Sequence, residues 1–369
     1  MAYFRVRPWY KQGGGYLDDD KIYGVTWDGS ESTSWTRTDD AVGFSDPSPA
    51  VANGTGSSPF DKIMPWAGME KVEDANAGTL VAIPKFYFKL EYADPSASVK
   101  GLKLQISRQQ FTGSQVSPAH MDRGDGAGER DVVYVGRFAC SDSYTSESGV
   151  IPKSSSSRGT YRTGIHNLGS DIWQWDYAML LTIQFLYLVE FANWNAQVII
   201  GRSCGGGSKE NTGATNAMRY HTGTAKATAA TRGAGVQYRN IEDIWGNVRQ
   251  YIDGVRFSYS DIYVYKKPSE FSDTSGGSYM GSRPTSGASR ISAYRIVTSS
   301  GYTWLMLPSA TVTKTDVYTN CEYGYDQYNK LLSTYGSYDD YSITCGLFGF
   351  YSVYDYGNAY TGSRLMKLP

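Results

Sequence analysis

The sequence predicts an α+β fold in which short strands are followed by two central helices and then by a long region of β-structure and loops. Three observations lead there. The 369 residues include 41 Gly and 31 Tyr, with 40% hydrophobic side chains, a loop-heavy composition that still has apolar material for a core. Alternation of period two is concentrated between residues 81 and 138, and two helix-like stretches follow it. Beyond residue 210 the chain turns to Gly, Ser, Thr and Ala.

Taken in order, residues 1–60 mix turn-forming runs such as Gly13-Gly14-Gly15 with short aromatic patches such as Tyr23-Gly24-Val25-Thr26-Trp27. They read as a separate N-terminal attachment arm or small β module. From residue 61 the pattern tightens. Phe86, Phe88 and Leu90 alternate with Tyr87 and Lys89, and Pro84 marks a strand start or edge. Residues 102–106 alternate cleanly, and residues 132–138 read as a more buried strand. The first helix is expected over about 158–168, stopping at Gly169. The second is expected over about 176–194, with Asp176 as N-cap and apolar residues almost all round, so it belongs deep in the core.

Charge narrows the function. The 35 Lys and Arg balance the 36 Asp and Glu, which argues against a main role in gripping nucleic acid. Residues 1–9 lack the apolar stretch of a signal peptide, and the run 177–189 is too short to cross a bilayer, so no membrane insertion is expected. Cys140, Cys204, Cys321 and Cys345 lie far apart with no CxxC pair, as expected of reduced cysteines in a protein made in a cytoplasm. Neither a metal site nor a cofactor is indicated: His120, His166 and His221 have no zinc-ligand spacing, and Asp122, Asp125, Glu129 and Asp131 lack a calcium-loop pattern. Gly205-Gly206-Gly207-Ser208-Lys209 reads as a flexible turn, since its spacing is not that of a phosphate loop. Arg123-Gly124-Asp125 spells an adhesion tripeptide, but a match of that length arises readily by chance. Without convergent acid, base and nucleophile groups, no enzyme is expected.

The C-terminus carries the most information. Residues 251–369 hold 18 of the 31 tyrosines, with ten basic and ten acidic side chains. The window 335–361 contains seven Tyr among Ser, Gly, Asp and Asn, and has no Lys, Arg, Glu, Gln, Met or Trp. Antibody paratopes use this composition: tyrosine gives large, rigid, amphipathic contact area, and Ser, Gly and Asn adapt their hydrogen bonds. A tyrosine-rich β surface that merely packs, or a subunit interface, fits the composition equally well.

Three motifs in this order carry a family resemblance over residues 61–369. Asn240-Ile-Glu-Asp-Ile-Trp245-Gly246-Asn247-Val248-Arg249-Gln250-Tyr251 resembles a "GNVWEW" core segment. Phe185-Leu-Tyr-Leu-Val-Glu190-Phe-Ala-Asn-Trp194-Asn-Ala-Gln197, followed by Ile200-Gly201-Arg202, is similar to a central helix of phage tail proteins. Cys345-Gly346-Leu347-Phe348 and the closing Gly362-Ser363-Arg364 resemble the end of a variable repeat with a "GxR" close. Together they resemble the variable proteins of diversity-generating retroelements, which carry a C-type-lectin-like domain of the formylglycine-generating-enzyme type.

The resemblance implies a C-type-lectin-like ligand-binding domain over 61–369 and a diversified region at about 335–361. Randomising the adenines of asparagine codons can give Tyr, Asp, Ser, Gly, Asn or Phe but not Lys, Glu, Gln, Met or Trp, and the window obeys that restriction. It implies that Leu347 and Phe348 anchor the segment, that Arg364 closes it from below, and that Trp245 and Asn247 serve packing and hydrogen bonding. The ligand would meet Tyr338, Asp339, Asp340, Tyr341, Phe350, Tyr351, Ser352, Tyr354, Asp355, Tyr356, Asn358 and Tyr360. The partner would be a protein or cell-surface ligand, the assembly a homotrimer, and the place a phage tail, on a virion built in a bacterial cytoplasm. A structural tail component is the first alternative, and an oxidase of the formylglycine-generating type, with Cys345 as its reactive thiol, is the second. Departures limit the rest: Arg249-Gln250 replaces Trp-Glu, the calcium-ligand triplets of sugar-binding lectins are missing, and no second cysteine follows Cys345 to support oxidase chemistry.

Overall fold

Alternating side chains build the first sheet. In strand Tyr87–Tyr92, Phe88 and Leu90 turn inward while Tyr87, Lys89 and Glu91 stay nearer solvent. The strand pairs antiparallel with Leu102–Ser107, which in turn pairs with Tyr23–Trp27. The computed structural model describes residues 20–97, 100–285, 289–312, 322–324, 331–340 and 345–369. Tyr23–Trp27 lies inside this sheet, and Tyr23, Val25, Trp27, Trp35 and Phe60 belong to the main core. The boundary expected at residue 60 therefore does not coincide with a break in sheet or core. Trp27, Trp35 and Trp194 pack ring against ring there, with the closest centroids 4.9 Å apart.

Both expected helices form. α1 (Arg158–His166) starts at Ser157, whose hydroxyl accepts from the Thr160 amide. α2 (Tyr177–Phe191) starts at Asp176, whose Oδ1 accepts from the Met179 amide at 2.9 Å. Every residue of α2 is buried. Of its polar side chains, Gln184 donates to the Leu347 carbonyl (2.8 Å), and Glu190 accepts from Arg239 and the Tyr238 hydroxyl.

The α+β, C-type-lectin-like layout with two central helices is corrected here. The chain is mostly β, with 33% strand against 12% helix. The physical reason lies in the C-terminal half. Strand Arg249–Ser258 has eight consecutive buried residues, so it lacks the half-buried alternation that marks a strand in a sequence. It sits within a large sheet ordered 278–282, 261–264, 249–258, 331–334, 350–353, 322–324, 289–296 and 306–312. What reads as loop is largely paired strand, favoured by its Tyr, Val, Ile and Thr. A second sheet runs 172–174, 365–367, 132–136, 78–84 and 71–74, and brings the C-terminus into the middle of the fold.

Arg364 ties these layers together. It is fully buried and donates to Gln250 Oε1 and to the carbonyls of Gly136, Arg137, Glu242 and Asp243. Burial pushes its pKa down to about 10, so it stays charged at neutral pH. Beside it, the buried Asp243 carboxyl accepts on Oδ1 from Ser203 Oγ and from the amides of Gly235 and Val236, while Oδ2 has no partner among the described residues. Burial, reinforced by neighbouring Glu242, raises its pKa from 3.8 to about 7. The sign follows: the folded chain holds a proton that the unfolded chain has released, so this contribution is complete below about pH 4 and is lost as pH rises to about 7. In Asp243→Asn, which retains the accepting oxygen, denaturant midpoints are expected to be flatter over that window than in the parent.

Candidate ligand-binding surface

The frame of the site is strand Arg249–Ser258, which pairs with Leu331–Thr334 on one side and, in parallel, with Thr361–Gly362. Leu331–Thr334 also pairs with Phe350–Val353. The chain between these strands forms the segments 335–340 and 354–360. Each is held by its backbone. The Tyr338 amide donates to the Asn247 carbonyl (2.8 Å), and Gly205 and Gly207 donate to the carbonyls of Ser337 and Tyr338. The Ser155 amide donates to the Asn358 carbonyl, the Arg249 amide to the Tyr360 carbonyl, and the Tyr251 hydroxyl to the Tyr354 carbonyl. Two glycines inside the window are required by geometry. Gly336 has φ of +102°, and a Cβ there would lie 2.4 Å from Cys345 Cβ; Gly357 has φ of +65°, with the backbone of Ser155 and Ser156 at 2.7 Å.

On this frame stand two ring pairs. Tyr338 and Tyr360 lie 5.4 Å apart, and Tyr354 stacks on Tyr356 at 5.1 Å. Tyr356 is 71% exposed, and Tyr354 and Tyr360 are each 36% exposed. Asp339 and Asp355 are exposed, while Tyr338, Asp340, Tyr351 and Asn358 are half-buried. Three of these have structural duties. Asp340 accepts from Arg249 (2.8 Å) and from both the amide and hydroxyl of Ser337. Asn358 Oδ1 accepts from the Tyr360 amide and Thr361 Oγ1, closing its own turn. Asp355 accepts from the Arg158 amide; although the residue is exposed, the partial desolvation of its carboxyl beside that contact raises its pKa above the ordinary value despite the bond.

Two expected ligand residues face inward instead. Phe350 and Ser352 are each 1% exposed, because the strand Phe350–Val353 turns them into the core and leaves Tyr351 on the outer side. Phe350 packs beside Tyr177, next to a void of about 20 Å³. Phe350→Ser is therefore expected to cost about 3 kcal/mol, read as a shift in urea midpoint at unchanged slope. Tyr341 lies outside the described residues.

Several supports escaped sequence reasoning. Arg249 holds Asp340 while its guanidinium lies 4.2 Å from the Tyr351 ring centroid, a cation–π contact. Burial opposes its charge, yet Asp340 holds its pKa above the ordinary value. The Gly205–Gly207 turn is the cradle of segment 335–340. Cys345, expected to be a lone thiol, is bonded to Cys204 across 141 residues, which fixes the window to that cradle. Only the replacement of Trp by Arg at position 249 was a visible signal. Leu347 and Phe348 are buried, as are Trp245 and Asn247; the Asn247 side chain both accepts from the Glu210 amide and donates to its carbonyl.

No protein-family model and no curated protein matches the chain. The other sequence motifs resolve into structural roles. Arg123 is buried and paired with Asp176, so the Arg-Gly-Asp tripeptide is not displayed. His120, expected in a polar loop, is fully buried; burial lowers its pKa to about 4, and its Nε2 lies 2.8 Å from the Ile83 carbonyl. His166 stacks on Trp173, and His221 lies 2.9 Å from Asp61. Among the described residues, no three His, Cys, Asp or Glu side chains gather as a metal site, and no helix is long and apolar enough to cross a membrane.

Proposed function

We propose that this is a ligand-binding protein whose C-terminal tyrosine surface is the recognition site. The observation that carries the reading is the display of Tyr338, Tyr354, Tyr356 and Tyr360 in two ring pairs on segments held by main-chain bonds to the core. Backbone bonds do not depend on side-chain identity, so these positions can change while the scaffold stays folded. That separation is what a diversified binder needs. It supports reading the chain as a retroelement-diversified protein that meets a protein or cell-surface ligand, on a phage tail made in a bacterial cytoplasm. Paratope-like rings give contact area at little entropic cost, and a homotrimer would add avidity to weak single sites.

The neighbouring DNA tests this. A second copy of the last hundred or so bases, differing only at adenines and lying beside a reverse transcriptase gene, is the expected finding. Flanking DNA without such a copy removes the diversification reading, and whole-cell binding that persists when the four tyrosines become Ser removes the recognition site.

A further inference from the structure

The bond between Cys204 and Cys345 lies directly against segment 335–340. Gly336 rests on it, since a Cβ added there would meet Cys345 Cβ at 2.4 Å and Cys204 Cβ at 3.5 Å. The residues that follow Cys204 then carry the middle of the segment. The Gly205 amide donates to the Ser337 carbonyl at 3.0 Å, and the Gly207 amide to the Tyr338 carbonyl at 2.8 Å.

The ends of the segment are held elsewhere. The Tyr335 amide donates to the Gly349 carbonyl, and Asp340 accepts from Arg249. The ties that hold the cradle itself are long: the Gly233 amide reaches the Cys204 carbonyl, and the Asn247 amide the Ser203 carbonyl, each at 3.3 Å. Main-chain bonds that water can replace are worth little net, so the seat of Ser337 and Tyr338 depends on the covalent link beneath it. Cys140, the free cysteine among the described residues, does not compete for the pair. Burial pushes its thiol up to about 12, so it stays protonated and unreactive towards a disulfide.

We propose that Cys204 and Cys345 form a redox latch under the tyrosine surface. As two thiols they leave Ser337 and Tyr338 free to part from the cradle; as a disulfide they fix Tyr338 in its presented position. The oxidant is a low-molecular-weight disulfide. One cysteine thiolate attacks it, forms a mixed disulfide and expels one thiol; the second cysteine thiolate then displaces the other. The pair gives up two electrons and two protons, and the oxidant leaves as two thiols. Once the bond has closed, both cysteines are wholly buried, so a reductant reaches them only through local opening and the latch shuts more readily than it opens. A chain made among reducing thiols carries the latch open and shuts it on leaving them. The purpose of the latch rests on the tyrosines being the recognition site, but its chemistry and its effect on the segment do not.

Hydrogen exchange of the full chain tests the assignment without any ligand, so its failure is distinct from failure of the recognition reading. The chain is purified under reduction, and half of it is treated with oxidised glutathione. Alkylation should count two fewer thiols after oxidation, in Cys321→Ser as in the parent. Amide exchange in segment 335–340 should slow by roughly tenfold or more on oxidation, while helix α2 exchanges equally slowly in both forms. The double variant Cys204→Ala/Cys345→Ala should exchange in this segment as the reduced parent does, with or without oxidant. Failure of oxidation to remove two thiols, equal exchange of the segment in the two forms, or a loss of α2 protection on reduction would overturn the latch; the last would show that the bond holds the whole fold.

Discussion

Replacing Arg364 with Met is expected to cost about 4 kcal/mol or more, a large share of the 5–15 kcal/mol typical of a domain. Met fills much of the volume, but Gln250 Oε1 and the carbonyls of Gly136, Arg137, Glu242 and Asp243 all lose their bonds to the guanidinium, the Arg137 carbonyl keeping the Glu242 amide and the Asp243 carbonyl the Gln250 side-chain amide. These acceptors belong to segments far apart in sequence, so their loss loosens the contact between the two sheets and the 236–243 segment. Arg364→Lys should recover part of the loss, because an ammonium group keeps the charge but cannot fork to both sides. Urea midpoints of the three proteins should fall in the order parent, Lys, Met; equal midpoints for parent and Met variant would show that the guanidinium is not the tie described here.

Changing Tyr338, Tyr354, Tyr356 and Tyr360 together to Ser is expected to have the opposite profile. Stability should move by no more than about 1–2 kcal/mol, since exposed substitutions away from caps and cores stay near 0.5 kcal/mol each. Ligand binding should be lost beyond detection, because buried aromatic anchors at interfaces are commonly worth 2 kcal/mol or more apiece. The comparison with Phe350→Ser is the internal control: one residue of the same window, turned inward, should cost more stability than four turned outward.

How much of this was legible can be judged residue by residue. The N-cap Asp176 and the wholly buried helix after it were visible because apolar residues run round every face. The inward packing of Leu347, Phe348 and Arg364 followed from the family resemblance. Strand Arg249–Ser258 was not legible, because a strand buried on both faces loses its alternation, and the mostly β architecture was missed with it. Phe350 and Ser352 were misplaced for a related reason: a window read by composition as loop contains a strand, and a period of two then decides which side chains reach solvent. The Cys204–Cys345 bond joins residues 141 apart, and sequence spacing carries no record of that meeting. The core position of Tyr23–Trp27 was hidden likewise, since beside the nearby strand Thr36–Asp39 its other neighbour in the sheet is the distant Leu102–Ser107.

One short window divides its residues between fold and recognition, and a displayed library tests that division directly. Asp339, Tyr354, Tyr356 and Tyr360 are randomised together, the pool is first selected for protease resistance, and the survivors are then panned on a protein target chosen at random. The predicted result is that protease selection leaves all residue types at these four positions and that panning enriches specific sequences. Survivors that retain tyrosine at 354, 356 and 360 before any target is offered would contradict it, for the rings would then belong to the fold.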